Sequence, residues 1–195
     1  MPGSSRSVYF ATSNGGKIQE ARIVLSPYEI GVVPFDGKGV EIQAETVSEV
    51  AAFSARAASR KYDRPLIVED AGLFVEALGD FPGPSSSYVY KTVGIRGILA
   101  LLEGARSRRA RFRSAVAFCE PAGEPRVFEG EVTGRISASP SGENGFGFDP
   151  VFIPSGDRRS VGELTLEEKC AISHRGESLR KFALWYTDPK AGQRF

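Results

Sequence analysis

The chain has 195 residues, of which 41% are hydrophobic and 25% are charged, values typical of a soluble globular protein. The length suffices for one domain with a sizeable core, so we predict a single domain over residues 1–195. The formal net charge of +1 gives no global field that would favour nucleic acid or an anionic membrane. No apolar run approaches the roughly 18 residues of a membrane span, and residues 1–7 resemble no secretory signal, so a cytoplasmic location is expected.

The first predicted elements are a strand, a polar loop and a helix. Val8 to Ala11 reads as a short buried strand, Thr12 to Gly16 as a tight loop, and Lys17 as the start of a helix. Asn14 is a suitable N-cap, and the helix N-terminus and the lysine both favour an anion. The loop is not a Walker loop, because Ile18 stands where serine or threonine is required. The segment fits a phosphate site or an ordinary capped turn.

An acidic residue follows in an apolar setting. After a predicted strand near 29–34, Glu41 lies between Val40 and Ile42 in a short extended piece. A carboxylate in a half-buried piece needs a partner, and a metal ion and a nearby lysine or arginine are both candidates.

A carboxylate pair comes next, after a predicted helix near 46–61. Leu66 to Val68 reads as a buried strand that ends at Glu69 and Asp70, and the chain extends again from Leu73 to Leu78. Ligands lie at the carboxyl ends of strands in open α/β sheets, where such a pair can hold Mg²⁺ or act as a base on water. An acidic strand end facing solvent is the alternative.

The second half of the chain has a different pattern. Gly94 to Glu103 predicts a helix, and two alternating segments, near 111–118 and 126–136, predict an antiparallel hairpin. Pro140 to Gly147 reads as a glycine-rich loop, and the last helix is expected at about 174–187. Alternating elements followed by a hairpin predict an α/β fold with a mixed sheet.

Aromatic and cationic residues cluster near the end of the sequence. Phe146 and Phe148 lie between glycines and precede Asp149, a pattern that suits base stacking beside a ring N–H acceptor but is also typical of core aromatics in a turn. Lys169 and His174 bring donors to the start of the last helix. Because His174 is the only histidine, no zinc site is expected, and a structural hydrogen bond is the commoner role.

A basic run offers a third type of site. Its members are Arg106, Arg108, Arg109, Arg111 and Arg113. No aromatic residues interleave with them on the same face, so a solvated loop and strand edge is favoured over a nucleic-acid patch.

Several motifs in this order resemble the inosine triphosphate pyrophosphatase family, also called Ham1-like, and most closely its archaeal members. The resemblance covers residues 8 to about 187. Its motifs are Thr12-Ser13-Asn14-Gly15-Gly16-Lys17, Glu41-Ile42-Gln43-Ala44-Glu45, Glu69-Asp70-Ala71-Gly72-Leu73, Phe81-Pro82-Gly83, the run from Gly145 to Pro154, and Ser173-His174-Arg175-Gly176.

The resemblance implies a fold and a reaction. The fold is an elongated mixed sheet flanked by helices, in two lobes with the active site in the cleft. The reaction is the Mg²⁺-dependent hydrolysis of non-canonical purine nucleoside triphosphates (ITP, dITP, XTP) to the monophosphate and pyrophosphate, which cleanses the nucleotide pool. Members are usually homodimers, and neither nucleic acid nor membrane is an expected partner.

The resemblance also implies roles for individual residues. Asp70 binds Mg²⁺ or activates the attacking water, and Glu41 helps to hold the metal. The remaining members of the expected substrate site are Thr12, Ser13, Asn14, Gly15, Gly16 and Lys17 at the triphosphate, Ala71 through its backbone N–H, Phe146 stacked on the base, and Gly147, Phe148, Asp149, Lys169, His174 and Arg175 around it.

The sequence departs from the family pattern at two places. Ala71 stands where the family usually has serine or threonine, so a hydroxyl that could touch the substrate is missing. The helix near 46–61 lacks a mid-helix lysine, with Phe53 and Ser54 in that region. A nucleotide-binding regulator that does not hydrolyse its ligand is therefore the alternative function.

Overall fold

The computed structural model describes residues 6–37 and 42–188, which form a mixed β-sheet with helices on both faces. Glu41, a predicted metal ligand, lies outside the described residues. The strands are β1 (Arg6–Ala11), β2 (Ile30–Phe35), β3 (Leu66–Val75), β4 (Pro82–Gly83), β5 (Arg109–Cys119), β6 (Arg126–Ile136) and β7 (Phe152–Pro154). The helices are α1 (Gly15–Leu25), α2 (Val47–Tyr62), α3 (Ser86–Thr92), α4 (Gly94–Leu101), α5 (Leu166–Ile172) and α6 (His174–Thr187).

The strand order within the described residues is β2-β1-β3-β5-β6-β7, and β4 pairs with β3 beside this path. β1 is parallel to β2 and β3, whereas β3, β5, β6 and β7 are antiparallel neighbours. β1 pairs with β3 only at Leu66 and Ile67, and β4 pairs with it only at Leu73 and Phe74. Between these pairs, one edge of β3 has no neighbouring strand among the described residues, so the sheet has a gap there.

Two hydrophobic cores lie on one face of the sheet. Helices α1 and α6 cover this face at one of its ends. Ile67 of β3 and Val116 of β5 belong to the first core, which includes residues of α1 and α6. Leu73 of β3 and Phe112 of β5 belong to the second, which includes residues of α3 and α4. Ser114 lies between them on β5, and polar residues thus separate the two cores, as expected for two lobes with a cleft.

The opposite face of the sheet is covered by α2. Its buried residues Ala51, Ala55 and Ala58 pack with Leu66 and Ala115 of the sheet in a third core. Thr46 begins α2 with a capping box, in which its hydroxyl accepts from the Glu49 backbone N–H and the Glu49 carboxylate accepts from the Thr46 N–H.

The predicted mixed α/β fold is confirmed, and so are the N-terminal helix, the hairpin and the last helix. The predicted strand end at Glu69 and Asp70 is wrong, because β3 runs without interruption from Leu66 to Val75. The physical reason is its antiparallel ladder with β5, which pairs every residue of β3 and supports the strand beyond the end of β1. The helix α5 was not expected from the sequence.

Two further observations concern the cysteines and the length of the helices. Cys119 and Cys170 are both free and buried. Among the described helices, none has the length and apolar character needed to cross a membrane.

Candidate active site

The loop between β1 and α1 has the geometry of an anion site. Asn14 caps α1 by accepting from the Lys17 backbone N–H at 3.2 Å, and the Thr12 hydroxyl accepts from the Asn14 N–H at 3.2 Å. Ser13, Asn14 and Gly15 are exposed. The first-turn amides of Gly15 and Gly16 have no intrahelical acceptor, so they are available to a negatively charged ligand.

Lys17 connects this loop to the gap in the sheet. Its ammonium group donates to the Glu69 backbone oxygen at 2.9 Å and lies 2.8 Å from Glu69 Oε2. The lysine side chain keeps 18% of its accessible surface, whereas the Glu69 side chain has none. An ammonium group has three protons, and two oxygens of Glu69 lie within 3 Å of it, which leaves one proton for a further acceptor.

Glu69 also holds a cation of α6. Its Oε1 lies 3.0 Å from Arg175 Nε and accepts from the Ser114 hydroxyl at 2.7 Å. Burial alone would raise the pKa of Glu69, but the charges of Arg175 and Lys17 outweigh burial and lower this pKa to about 2. Glu69 is therefore ionised, and its two carboxylate oxygens face Lys17 and Arg175 in ion pairs.

The ion pairs continue from Arg175 toward the glycine-rich loop. Arg175 Nη1 lies 2.7 Å from Glu20 Oε2, and Lys169 Nζ lies 2.8 Å from Glu20 Oε1 and 2.6 Å from Asp149 Oδ2. Glu20 and Lys169 are 1% and 3% exposed. Burial disfavours ionisation of Glu20, yet Arg175 and Lys169 lower its pKa below the ordinary value. We call the alternating set Lys17, Glu69, Arg175, Glu20, Lys169 and Asp149 the charge chain.

Phe146 covers the charge chain from the glycine-rich loop. Lys169 Nζ lies 4.4 Å from the centre of its ring, and Arg175 Cζ lies 5.2 Å away. A Cβ atom on Gly16 would come within 2.7 Å of the same ring. The aromatic ring, the phosphate-type loop and the buried cations are therefore neighbours, although their positions in the sequence are far apart. The loop itself is held by Asp149 Oδ2, which accepts from the Phe146 N–H at 2.8 Å.

His174 lies at the start of α6 with its ring stacked on Phe112, at a centroid distance of 4.8 Å and an interplanar angle of 13°. It is 4% exposed, and its Nδ1 has no hydrogen-bond partner among the described residues. Burial, reinforced by the charge of Arg175, lowers its pKa well below the ordinary value. The imidazole is therefore neutral and has a polar atom that a ligand could satisfy.

Asp70 differs from its neighbour Glu69. Because side chains alternate along the regular strand β3, Asp70 lies on the face that α2 covers, opposite to Glu69. Its Oδ2 is buried and has no hydrogen-bond partner among residues 6–37 and 42–188. Burial raises the pKa of Asp70 to about 7, and the charge of Glu69 adds to this, while Lys17 and the Ala71 N–H oppose it. Such an unpaired carboxylate fits a hard cation or a proton from water.

Two other residues of the expected substrate site are Gly147 and Phe148. Gly147 has a positive φ of 65° in the loop, a conformation that suits glycine. Phe148 is buried in the second core, edge-on to Tyr90, so a contact with substrate stays a prediction for it.

In the basic run, Arg108 donates to three backbone carbonyls, while Arg111 and Arg113 pair with Asp80 and Glu131.

Sequence reasoning missed two residues of this site, Glu20 and Ser114. A glutamate in the second turn of an amphipathic helix is expected in solvent, and only the approach of α6 and α5 buries Glu20. Ser114 alternates correctly with its strand neighbours, and nothing in the sequence distinguishes it from an ordinary core serine.

The chain is similar along most of its length to proteins of one family. Residues 8–185 match the model of the Ham1 family. The dITP/XTP pyrophosphatase of Methanopyrus kandleri is 50% identical over 186 residues, which is 95% of this chain and 99% of that protein. The dITP/XTP pyrophosphatase of Thermococcus kodakarensis is 49% identical over 176 residues, which is 90% of this chain and 95% of that protein.

Solved structures give the same result for the fold. A HAM1 protein from Coxiella burnetii superposes with a TM-score of 0.83 at 32% identity, covering 93% of this chain and 98% of that one. The Ham1 protein of Staphylococcus aureus superposes with a TM-score of 0.80 at 28% identity over the same shares. The resemblance inferred from the motifs is thus confirmed by sequence and by structure, and the chain belongs to the Ham1 family.

Proposed function

We propose that this protein is a hydrolase that converts non-canonical purine nucleoside triphosphates, namely ITP, dITP and XTP, to the monophosphate and pyrophosphate, and so cleanses the nucleotide pool. The observation that carries the proposal is the close approach of the Phe146 ring to Gly16, which brings the anion loop next to the buried cations Lys169 and Arg175. The names of the relatives, dITP/XTP pyrophosphatases, support the same substrates.

The phosphate end of the proposed site is the loop from Thr12 to Lys17. Its exposed amides and the α1 N-terminus attract negative charge, and the remaining proton of Lys17 can reach a phosphate oxygen. These contacts carry no information about the base. The gap in the sheet beside β3 gives a triphosphate access to the Ala71 backbone and to Asp70.

The base end is formed by Phe146 and the far end of the charge chain. Phe146 stacks on the purine, Lys169 and Arg175 donate to a 6-oxo group, and Asp149 accepts from the ring N–H. Adenine presents the opposite pattern, with an amino group at position 6 and an acceptor at N1. It would leave buried donors unpaired, at about 1–3 kcal/mol each, which gives discrimination against ATP.

The catalytic group in this proposal is Asp70. The buried Oδ2, which has no hydrogen-bond partner among the described residues, fits a Mg²⁺ ion, with Glu41 as the second ligand that the family resemblance implies. Bound Mg²⁺ would neutralise charge on the phosphates. Asp70 itself, when deprotonated, can accept a proton from the attacking water, while Lys17 and the loop amides hold the phosphates in line.

The expected assembly follows from the family resemblance. We expect a homodimer in the cytoplasm that binds purine nucleoside triphosphates and neither nucleic acid nor membrane. The ion pairs of Arg111 and Arg113 make nucleic-acid binding less favourable, because they reduce the free positive charge of the basic run.

The proposal is tested by the identity of the products. Purified protein would be incubated with dITP, XTP, ITP and ATP, with Mg²⁺ or with EDTA, and pyrophosphate and orthophosphate would be quantified separately. We expect monophosphate and pyrophosphate from the 6-oxopurine nucleotides, and little reaction with ATP or with EDTA. Orthophosphate as the first product would contradict the proposal. Tight binding of dITP without any turnover would favour the non-hydrolysing regulator.

A further inference from the structure

We propose that Ser114 is a positioning residue, whose hydroxyl orients the Glu69 carboxylate so that it holds Lys17 and Arg175 at the same time. The inference rests on the proposed function, in which Lys17 serves the phosphate end and Arg175 serves the base end. Glu69 is the residue of the charge chain that joins these two ends, so its orientation affects both of them.

Ser114 lies in a row of small residues that crosses three strands. It pairs with Ala71 of β3 on one side and with Gly130 of β6 on the other. A Cβ atom on Gly130 would lie 2.1 Å from the His174 backbone oxygen and 2.7 Å from the Ser178 nitrogen. The first turn of α6 therefore rests directly on the sheet at this row, which brings Ser178 Oγ to 3.0 Å from Ser114 Oγ.

The number of protons decides which groups donate. The Glu69 carboxylate faces two cations, Lys17 and Arg175, so it is the acceptor, and the Ser114 hydroxyl donates to Glu69 Oε1 at 2.7 Å. Ser178 has one proton as well, and it can donate to the Arg175 backbone oxygen at 3.1 Å or to Ser114 Oγ. Both serines are completely buried. Of these two hydroxyls, the one on Ser114 contacts Glu69.

The Glu69 carboxylate needs this third contact. Its Oε2 faces Lys17 and its Oε1 faces Arg175, and the terminal torsion of a glutamate side chain has no sharp intrinsic preference. The Ser114 hydroxyl fixes the plane of the carboxylate by binding Oε1 at 2.7 Å. Without the Ser114 hydroxyl, the Glu69 carboxylate can turn toward one cation and away from the other. Either Lys17 at the phosphate end or Arg175 at the base end then loses the position that substrate binding requires.

The test compares Ser114→Ala with the matched control Ser178→Ala. Each change removes one buried hydroxyl, and the two hydroxyls are neighbours, but Ser114 is the one that contacts Glu69. We expect Ser114→Ala to lower kcat/KM for dITP by about 10-fold to 100-fold, as for a lost hydrogen bond to a buried charge. The ratio of kcat/KM between dITP and dATP should fall as well. Ser178→Ala should stay within about 3-fold, and Ser114→Thr should recover much of the activity.

The outcomes separate positioning from packing. Equal losses in both alanine variants, with a similar fall in Tm, would overturn the proposal, and so would an unchanged kcat/KM in Ser114→Ala. If Ser114→Ala does not fold, Ser114→Cys replaces it under the same criteria, because a thiol is a weak donor of similar size. A natural protein that does not hydrolyse dITP contradicts the proposed function instead, and the same variants are then compared by their affinity for dITP in calorimetry.

Discussion

The adjacent carboxylates Glu69 and Asp70 lie on opposite faces of β3, and their surroundings differ. On the face under α1 and α6, Glu69 pairs with two cations and accepts a hydroxyl proton, and its pKa is lowered to about 2. On the face under α2, Asp70 Oδ2 has no hydrogen-bond partner in the part of the chain that the structure describes, and burial raises the pKa of Asp70 to about 7. Glu69 is held in ion pairs, whereas the proposed function assigns the chemistry to Asp70. These two carboxylates are one residue apart in the register of β3.

Replacing the unpaired acid should have the largest effect on activity. We expect Asp70→Asn to lower kcat by at least about 100-fold, because a base or metal ligand is lost. The same change should raise the free energy of unfolding at pH 7.5 without metal, on the order of 1–3 kcal/mol, because the raised pKa makes the ionised form costly in the folded state. Steady-state kinetics and urea unfolding measure the two effects. A variant with near-normal turnover would remove Asp70 from the mechanism.

Replacing the paired acid should instead affect stability first. Glu69→Gln leaves Lys17 and Arg175 without their shared carboxylate, and breaking a buried ion pair costs about 3–5 kcal/mol. The pH dependence has a definite sign. The folded-state pKa lies below the ordinary value of 4.5, so the contribution of Glu69 is complete above pH 4.5 and is lost as the pH falls toward 2.

The difference in unfolding free energy between natural protein and Glu69→Gln should therefore shrink over that pH interval. Glu177→Gln is a suitable control, since Glu177 pairs with Lys181 at the surface, where such pairs contribute little. Equal losses of unfolding free energy in Glu69→Gln and Glu177→Gln at pH 7 would contradict this comparison of the two faces of β3, because Glu69 would then contribute no more than a surface carboxylate.

The sequence predicted most element types, although not α5, and it singled out several residues that lie together in the structure, among them Lys17, Phe146 and Lys169. Periodicity and capping residues predicted α1, the hairpin of β5 and β6, and α6, because these signals are local. The extent of β3 was not predictable, because its second half depends on pairing with β5, whose partner residues lie 35 to 43 positions further along the chain. The burial of Glu20 and the unequal partners of Glu69 and Asp70 likewise depend on α5 and α6, which reach the site only in the folded chain.

A substitution at the base end tests whether the charge chain reads the purine. Lys169→Ala removes a cation that contacts Glu20, Asp149 and the Phe146 ring. We expect kcat/KM for dITP to fall more than kcat/KM for dATP, so that the ratio narrows by about 10-fold, because a donor to the 6-oxo group is lost. Lys17→Ala is the control, since it should weaken both nucleotides about equally. An unchanged ratio in Lys169→Ala would place base recognition elsewhere.

The smallest effect is expected at Ala71, which lies beside the gap in the sheet and pairs with Ser114. A serine hydroxyl there would add one hydrogen bond to a charged phosphate, worth about 1.5–3 kcal/mol at most. Lys17 and the loop amides already serve the triphosphate, so we expect the natural protein to be active and Ala71→Ser to lower KM, with kcat within a few-fold. Ala71→Cys, similar in size but a weak donor, is the control for steady-state kinetics. An inactive natural protein that gains turnover with Ala71→Ser would show that the ion pairs of Glu69 do not suffice for hydrolysis. The non-hydrolysing regulator would then be the better description of this chain.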